Sequence, residues 1–162
     1  MLSAYYYTSP LGIIEIKAED DKVISILFVD GAENNLGPSS IAIEKCIIQL
    51  NDYFACKRKR FNTEYINPIG TYFQKKVWDE LLKIPYGKTI SYIELARRLG
   101  DEKLVRAVGT ANGKNPISII IPCHRVIGAN GQLVGYSGGL PIKKALLELE
   151  GGLGNSGQIS LL

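Results

Sequence analysis

The spacing of apolar residues changes near Asn67, and this change constrains the fold more than any other feature of the chain. Upstream, short runs rich in Ile, Val and Tyr alternate with turn residues, which predicts a β-meander with strands near residues 5–7, 13–16 and 23–29. Downstream, apolar residues recur at helical spacing. A chain of 162 residues can bury one large core or two small ones. We therefore predict an α+β protein built from two domains.

One helix completes the first domain. Residues 40–55 have Ser40 as a plausible N-cap and carry an apolar stripe, which places Cys46 in the core. The stripe consists of Ile43, Cys46, Ile47, Leu50 and Phe54. Residues 62–70 have the composition of a connector. The predicted divisions are domains at 1–66 and 67–151, with a flexible tail at 152–162.

The second domain is predicted to be mainly helical. The expected helices cover residues 71–84, 91–99, 102–111 and 141–150. The second and third of these form a helix-turn-helix pair, with Asp101 as N-cap of the third. In the last helix, Ile142, Leu146 and Leu149 are expected to face the core.

The single histidine, His124, directly follows one of the three cysteines, Cys123. The β-branched run 117–121 predicts a strand, and Pro122 should end it, which places Cys123 on a turn. An imidazole beside a thiol lowers the thiol pKa and accepts its proton, so the pair predicts a nucleophilic cysteine. The alternative is an inert, buried cysteine, which is the commoner role of a free thiol.

Charge is distributed unevenly between the two halves. Residues 1–66 carry 7 Lys/Arg and 9 Asp/Glu, whereas residues 67–162 carry 12 and 7. The excess of positive charge suggests that the second half binds an anionic partner such as nucleic acid, although a solvated basic face would give the same count.

The cysteine and histidine content fits neither a disulfide framework nor a zinc site, so we expect free thiols, no metal and no cofactor. With no signal-like N-terminus and no membrane-length apolar run, we expect a cytoplasmic or nuclear protein that does not engage a membrane.

Two charged residues, Arg106 and Glu150, are unusually placed on the predicted helices. Arg106 and Thr110 lie among the small residues Ala107, Gly109 and Ala111, which would let a duplex approach the helix closely. A helix packed on its own core with one solvated arginine is the alternative. Glu150 lies in the last turn of its helix, where a carboxylate opposes the helix dipole unless a partner such as histidine offsets it. The alternative is a surface glutamate of small cost.

Several motifs, in order along the chain, resemble one known family. They are Phe73-Gln74 with Val77-Trp78, Ile84-Pro85-Tyr86-Gly87, Arg106-Ala107-Val108-Gly109, Asn115-Pro116, Pro122-Cys123-His124-Arg125-Val126 and Tyr136-Ser137-Gly138-Gly139-Leu140. Together they resemble the O6-alkylguanine-DNA alkyltransferases, or methylated-DNA–protein-cysteine methyltransferases. The likeness is close over residues 71–151 and looser in the first half.

This resemblance implies both a fold and a reaction. The fold is a small N-terminal ribonuclease-H-like α/β domain followed by a helical, winged-helix-like domain that carries the reactive cysteine. The reaction is DNA repair by direct reversal: the alkyl group of O6-alkylguanine, and of O4-alkylthymine, passes irreversibly to Cys123. Each molecule acts once, because a thioether offers no easy route back to a thiol. The implied partner is double-stranded DNA that contains alkylated guanine, bound through the minor groove by a monomer.

The resemblance also implies roles for individual residues. His124 acts through a water as the base for Cys123, and Glu150 orients the imidazole. Tyr92 serves N3 of guanine, and Asn115 ties the recognition helix to the active-site turn. Arg106 fills the space that a flipped nucleotide leaves in the duplex. The remaining expected substrate and DNA contacts are Thr110, Ala111, Asn112, Val126, Tyr136, Ser137 and Gly138, with Asn112 standing where some relatives have an apolar residue against the base.

Three other functions stay open at the level of sequence. A lesion-binding protein would recognise alkylated bases without transfer, but members of that group replace the nucleophile that Cys123 provides here. A helix-turn-helix regulator would bind the major groove sequence-specifically and use the cysteine only structurally. A cysteine hydrolase would also pair Cys with His, although no peptidase signature surrounds Cys123.

Overall fold

A computed structural model describes residues 2–33 and 40–152 of the chain. It divides into two compact units, one formed by residues 1–69 with 116–120 and the other by residues 70–115 with 121–162. The predicted tail at 152–162 lies almost wholly outside the described residues. No helix among the described residues is long and apolar enough to span a membrane.

The first unit is built on the predicted β-meander. Strands β1 (Ser3–Ser9), β2 (Gly12–Glu19) and β3 (Lys22–Val29) form an antiparallel sheet in the order β1-β2-β3. Helix α1 (Ile41–Phe54) packs on this sheet and begins at Ser40, whose hydroxyl accepts a hydrogen bond from the Ile43 N–H. Cys46 is fully buried, as its position on the apolar stripe indicates.

The connector after α1 is attached to the first unit through backbone hydrogen bonds. The Val23 N–H donates to the Tyr65 carbonyl at 2.7 Å, and the Asn67 N–H donates to the Val23 carbonyl at 2.8 Å. Val23 and Ile66 form a parallel bridge. Residues 65–67 therefore pair with an end of β3.

The strand predicted for residues 117–121 is not formed. Only Ile117 pairs, in a parallel bridge with Ile26, and the chain then turns through residues 118–120. Ile119 takes φ +73°, a left-handed conformation that interrupts any strand. Residues 117–120 are buried within the first unit, and that burial produces the same sequence pattern as a buried strand.

The second unit contains the four predicted helices, of which all but the last are shorter than predicted. They are α2 (Tyr72–Leu81), α3 (Tyr92–Arg98), α4 (Val105–Gly113) and α5 (Leu140–Glu150). Asp101 caps a 3-10 turn, Glu102–Leu104, that leads into α4, so α3 and α4 form the helix-turn-helix pair. The two-residue strands β4 (Ile90–Ser91) and β5 (Val126–Ile127) pair in parallel, which brings the start of α3 beside the segment that follows Cys123.

The core-facing side of α5 differs from the expected one. Leu146 is buried as predicted, but Ile142 and Leu149 are only half-buried. The buried positions are Lys143, Leu146, Leu147 and Glu150. Two of the four buried residues of α5 are therefore charged. A prediction from hydropathy alone expected apolar residues at those positions and identified the wrong face of the helix.

Candidate active site

Cys123 lies on a tight turn, as the sequence predicts. Its backbone N–H donates to the Ile121 carbonyl across Pro122, at 2.8 Å, and residues Cys123–Arg125 then form one 3-10 turn. The residue is 5% exposed. Burial raises the pKa of the Cys123 thiol, and a hydrogen bond from Asn115 and the charge of Lys143 oppose that effect. The thiol therefore needs a base in order to ionise.

His124 and Glu150 provide that base. The His124 Nε2 atom lies 2.8 Å from Glu150 Oε2, and both side chains are completely buried. The proton of a neutral imidazole therefore resides on Nε2, and Nδ1 is left as the acceptor. Nδ1 is buried and has no hydrogen-bond partner among the described residues. Burial lowers the pKa of His124 more than Glu150 raises it, so the ring is neutral and can accept a proton.

Arg125 neutralises the carboxylate that holds His124. Its Nε donates to Glu150 Oε1 at 2.8 Å, and its Nη2 donates to Glu150 Oε2 at 3.0 Å, while Nη1 donates to the Ile84 carbonyl at 2.7 Å. Burial by itself would raise the pKa of Glu150, but the hydrogen bonds and charges of His124 and Arg125 together hold it far below its usual range. These partners explain why a carboxylate is tolerated in the last turn of α5.

Two asparagines connect the end of α4 to the active-site turn. Asn115 Nδ2 donates to the Ile121 carbonyl at 2.8 Å, and Asn112 Nδ2 donates to the Cys123 carbonyl at 3.4 Å. Both side chains are buried. The helix that carries the expected DNA contacts and the turn that carries the nucleophile are therefore joined by side-chain amides.

Lys143 is a buried cation beside the nucleophile that the sequence analysis did not identify. Its ammonium donates to the carbonyls of Val126, Val134 and Gly135 at 2.7, 3.1 and 3.2 Å. Burial lowers the pKa of Lys143 to about 8, while the nearby Cys123 sulfur raises it. Lysine is rarely buried without such partners. No local pattern marks it in the sequence, because its partners are backbone carbonyls 8 to 17 residues away.

Tyr92 faces a surface groove of about 570 Å³. Its hydroxyl donates to the Val134 carbonyl at 2.8 Å, and burial raises its pKa to about 12, so it remains a donor at neutral pH. The groove is lined by Tyr92, Val105, Arg106, Gly109, Thr110, Val134 and Gly135. It therefore runs between α4 and the loop that follows β5.

Comparison with known proteins identifies the family of this arrangement. Residues 72–152 match the model of the 6-O-methylguanine DNA methyltransferase DNA binding domain, and residues 2–68 match that of the 6-O-methylguanine DNA methyltransferase ribonuclease-like domain. The chain belongs to the 6-O-methylguanine DNA methyltransferase family. The expected order of a small ribonuclease-like sheet domain followed by a helical domain is thereby confirmed.

Individual members of this methyltransferase family are similar along almost the whole chain. A methylated-DNA–protein-cysteine methyltransferase of Methanosarcina acetivorans is 45% identical over 154 residues, which cover 91% of this chain and 98% of the relative. The crystal structure of the Mycobacterium tuberculosis O6-methylguanine methyltransferase is 42% identical and superposes with a TM-score of 0.83 over 93% of each chain. A crystal structure of Mycobacterium tuberculosis OGT in complex with DNA is 44% identical, with a TM-score of 0.81 over 90% of this chain and 91% of that one.

The remaining residues expected at the methyltransferase site fall into an exposed group and a buried group. Arg106 and Thr110 are exposed on α4, and Ser137 is exposed in the loop before α5, where Tyr136 and Gly138 are half-buried. In contrast, Ala111, Asn112 and Val126 are buried. The Ala111 carbonyl accepts a hydrogen bond from the Trp78 indole at 2.9 Å, which ties α4 to α2.

The described residues of this methyltransferase offer no cluster for a metal ion. Within 2–33 and 40–152, no group of three or more His, Cys, Asp and Glu side chains is arranged to hold one. Around Cys123, the Glu150 carboxylate is instead hydrogen-bonded to His124 and Arg125, and the Lys143 ammonium to a backbone carbonyl.

Proposed function

We propose that this protein repairs DNA by direct reversal, as a methylated-DNA–protein-cysteine methyltransferase that moves the alkyl group from O6 of guanine to Cys123. The observation that carries the proposal is the buried pair of Glu150 and a neutral His124, whose Nδ1 is available as a base beside the thiol. Family membership and the DNA complex of a 44% identical relative support it.

The chemistry follows from the protonation states of the site. The Cys123 proton passes through a water to His124 Nδ1, and the imidazolium that forms is stabilised by Glu150. The thiolate attacks the alkyl carbon, the bond from that carbon to O6 breaks, and its electron pair moves onto the guanine ring. The Tyr92 hydroxyl donates to N3 of guanine and the backbone N–H of Ser137 donates to O6, which stabilises the negative charge of the leaving group. The product thioether cannot return the alkyl group.

DNA is engaged through the exposed side of α4. Guanine O6 lies inside the base stack, so the nucleotide must leave the duplex, at a cost of a few kcal/mol. Arg106 is exposed on α4 and borders the groove beside Tyr92, where it can fill the vacated space. In this proposal the helix enters the minor groove, one protein molecule acts on each lesion, and O4-alkylthymine is a second substrate.

Incubation with excess O6-benzylguanine, followed by intact-mass measurement and peptide mapping, tests the proposed function. We expect one benzyl group per chain, located on Cys123, because the thiol reacts once. Cys123→Ser should gain none, although the buried Cys46 and the exposed Cys56 both remain as internal controls. A DNA duplex that contains O6-methylguanine serves as the second alkyl donor, because a pocket too narrow for a benzyl group would still accept a methyl group. If neither donor modified Cys123 in the folded, reduced protein, transfer would be excluded and lesion binding would replace it.

A further inference from the structure

The first unit carries a run of four cations, Lys57-Arg58-Lys59-Arg60, that the proposed chemistry does not use. Residues 1–66 contain seven Lys/Arg, and four of these seven lie in this run. The same residues contain nine Asp/Glu. The run is therefore a positive patch on a unit that is otherwise acidic.

Hydrogen bonds hold this run in a defined turn after α1. The Lys57 N–H donates to the Asp52 carbonyl at 2.8 Å, which closes the end of the helix. The half-buried Arg58 side chain folds back on the turn, where its Nη1 donates to the Arg60 carbonyl at 2.9 Å and its Nε lies 3.7 Å from Asp52 Oδ2. Arg58 thus fastens the 57–60 turn, and Lys57, Lys59 and Arg60 are exposed.

Folding alone does not account for the three exposed cations. A helix dipole favours cations only within about one turn of the C-terminus, whereas Lys59 and Arg60 lie five and six residues beyond Phe54. Neither Lys57 nor Arg60 forms a salt bridge with a carboxylate of the described residues. Like charges on neighbouring residues repel within the Debye length, about 8 Å at physiological salt. A polyanion would convert this repulsion into attraction.

DNA is the polyanion that fits the charge distribution of the first unit. Acidic residues elsewhere on the unit repel a duplex, so the 57–60 turn is where the unit attracts it. Lysine and arginine neutralise phosphates and release their counterions. The turn has no helix or strand to place in a groove, so its contacts fall on phosphates and carry no sequence information.

We propose that Lys57, Lys59 and Arg60 bind the phosphate backbone of DNA, and that the first unit thereby contributes to DNA binding independently of sequence and of damage. This inference goes beyond the proposed function, in which DNA is engaged through α4 and Cys123 reacts with an alkylated base. It concerns undamaged DNA as well as damaged DNA.

The test measures how the affinity for an undamaged duplex depends on salt. Fluorescence anisotropy of a labelled duplex gives the affinity of the full chain between about 50 and 200 mM KCl. Loss of each phosphate contact lowers the slope of log affinity against log salt by about 0.9. Lys57→Gln/Lys59→Gln/Arg60→Gln should therefore make the slope shallower by about 2.7, and the ratio of wild-type to variant affinity should fall about 40-fold across this range. Arg58 is kept because it fastens the turn.

The matched control removes three cations of the same unit that lie outside the turn. Lys17→Gln/Lys22→Gln/Lys45→Gln changes the net charge by the same amount, and it should keep the wild-type slope. Circular dichroism and the rate of benzyl transfer from free O6-benzylguanine verify that both variants fold, because none of the replaced residues belongs to the candidate active site.

The slopes of the two variants decide the assignment. A shallower slope in the turn variant alone supports it. Equal changes in both variants would show an effect of net charge and overturn it. An unchanged slope in the turn variant would also overturn it, and would leave the turn to another partner such as an acidic protein.

A second duplex, which contains O6-methylguanine, shows whether the turn contacts the backbone or the lesion. Phosphate contacts read no base, so the turn variant should lose affinity for both duplexes by the same factor. A loss confined to the damaged duplex would overturn the inference. Because binding to undamaged DNA is measured without methyl transfer, failure of the proposed function and failure of this inference are distinguishable.

Discussion

At the scale of residues, the site is organised by its buried charges. Glu150 is balanced by Arg125, and His124 is neutral, so these three residues together carry no net charge. Lys143 bonds only to carbonyls and forms no salt bridge with a described carboxylate. Ionisation of Cys123 supplies the missing negative charge. The buried lysine therefore favours the thiolate that the reaction requires.

Glu150→Gln should destabilise the protein by about 3–5 kcal/mol at neutral pH, because Arg125 would remain buried without a counter-charge. The pKa of Glu150 is lower in the folded protein than in the unfolded chain, so its contribution is complete above the unfolded value of about 4.3 and is lost as the pH falls. Urea unfolding across pH 3–7 should therefore show a wild-type stability that falls on acidification and a shallower dependence in the variant.

Glu148→Gln is the control for this prediction. Glu148 is exposed on the same helix, and its exposed pair with Lys144 spans 3.8 Å. Its replacement should change the free energy of unfolding by less than about 0.5 kcal/mol. Equal losses for the two glutamine variants would show that the buried carboxylate is not the stabilising group.

The sequence indicated some residues of this site and missed others for a physical reason. His124 adjoins Cys123, and Glu150 is conspicuous at the end of a helix, so both can be identified locally. Arg125 and Lys143 depend on backbone carbonyls such as Ile84 and Val134, which only the folded chain brings near. A side chain whose partners are carbonyls far along the chain leaves no local signal.

At the scale of elements, helix ends were predictable where the signal was a cap. Ser40 caps the helix that it was expected to cap, whereas Asp101 caps the 3-10 turn that leads into α4 and not the helix itself. Apolar runs were less informative, because the run 117–121 is buried in turns and not in a strand. The pairing of β4 with β5 joins residues 90 and 126, and no local pattern marks a parallel pair of two residues.

Helix α2 depends on close packing at its N-terminus. Thr71 and Gln74 form a capping box, and the ring of Trp78 lies against Gly70. A Cβ atom at residue 70 would lie 2.6 Å from Trp78 Cζ3 and 2.8 Å from Gln74 Oε1. Because Trp78 also bonds to the Ala111 carbonyl, displacement of the ring would disturb α4 as well.

Gly70→Ala should therefore destabilise the protein by about 1–3 kcal/mol, as overpacking does in a well-packed core. Gly113→Ala is the matched substitution, since a Cβ atom there meets nothing within 4 Å at the end of α4. It should be neutral or stabilising by up to about 1 kcal/mol. Chemical denaturation of both variants measures the difference. A Gly70→Ala protein as stable as Gly113→Ala would refute the packing argument.

At the scale of the whole molecule, the two units are not consecutive along the chain. Residues 116–120 belong to the first unit, although the residues before and after them belong to the second. The Ile26 N–H donates to the Pro116 carbonyl, and the Ser118 N–H donates to the Ile26 carbonyl, both at 2.9 Å. The side chain of Asn115, just before this segment, donates a hydrogen bond to the carbonyl of Ile121, just after it. The nucleophile follows two residues later.

A fragment of residues 70–162 should therefore keep its helices but lose most of its transfer activity. Without β3, the segment 116–120 loses its hydrogen bonds to Ile26 and the burial that maintains Ile119 at φ +73°, a conformation that costs about 1–3 kcal/mol. Displacement of Cys123 by even 1 Å can slow a positioned reaction on the order of 100-fold.

Circular dichroism measures the helix content of the fragment. The rate of benzyl transfer from free O6-benzylguanine measures whether the active-site turn still positions Cys123. Addition of a separate 1–69 chain should restore part of the rate by rebuilding the first unit. A fragment that reacts at the full-length rate would show that the second unit alone positions the nucleophile.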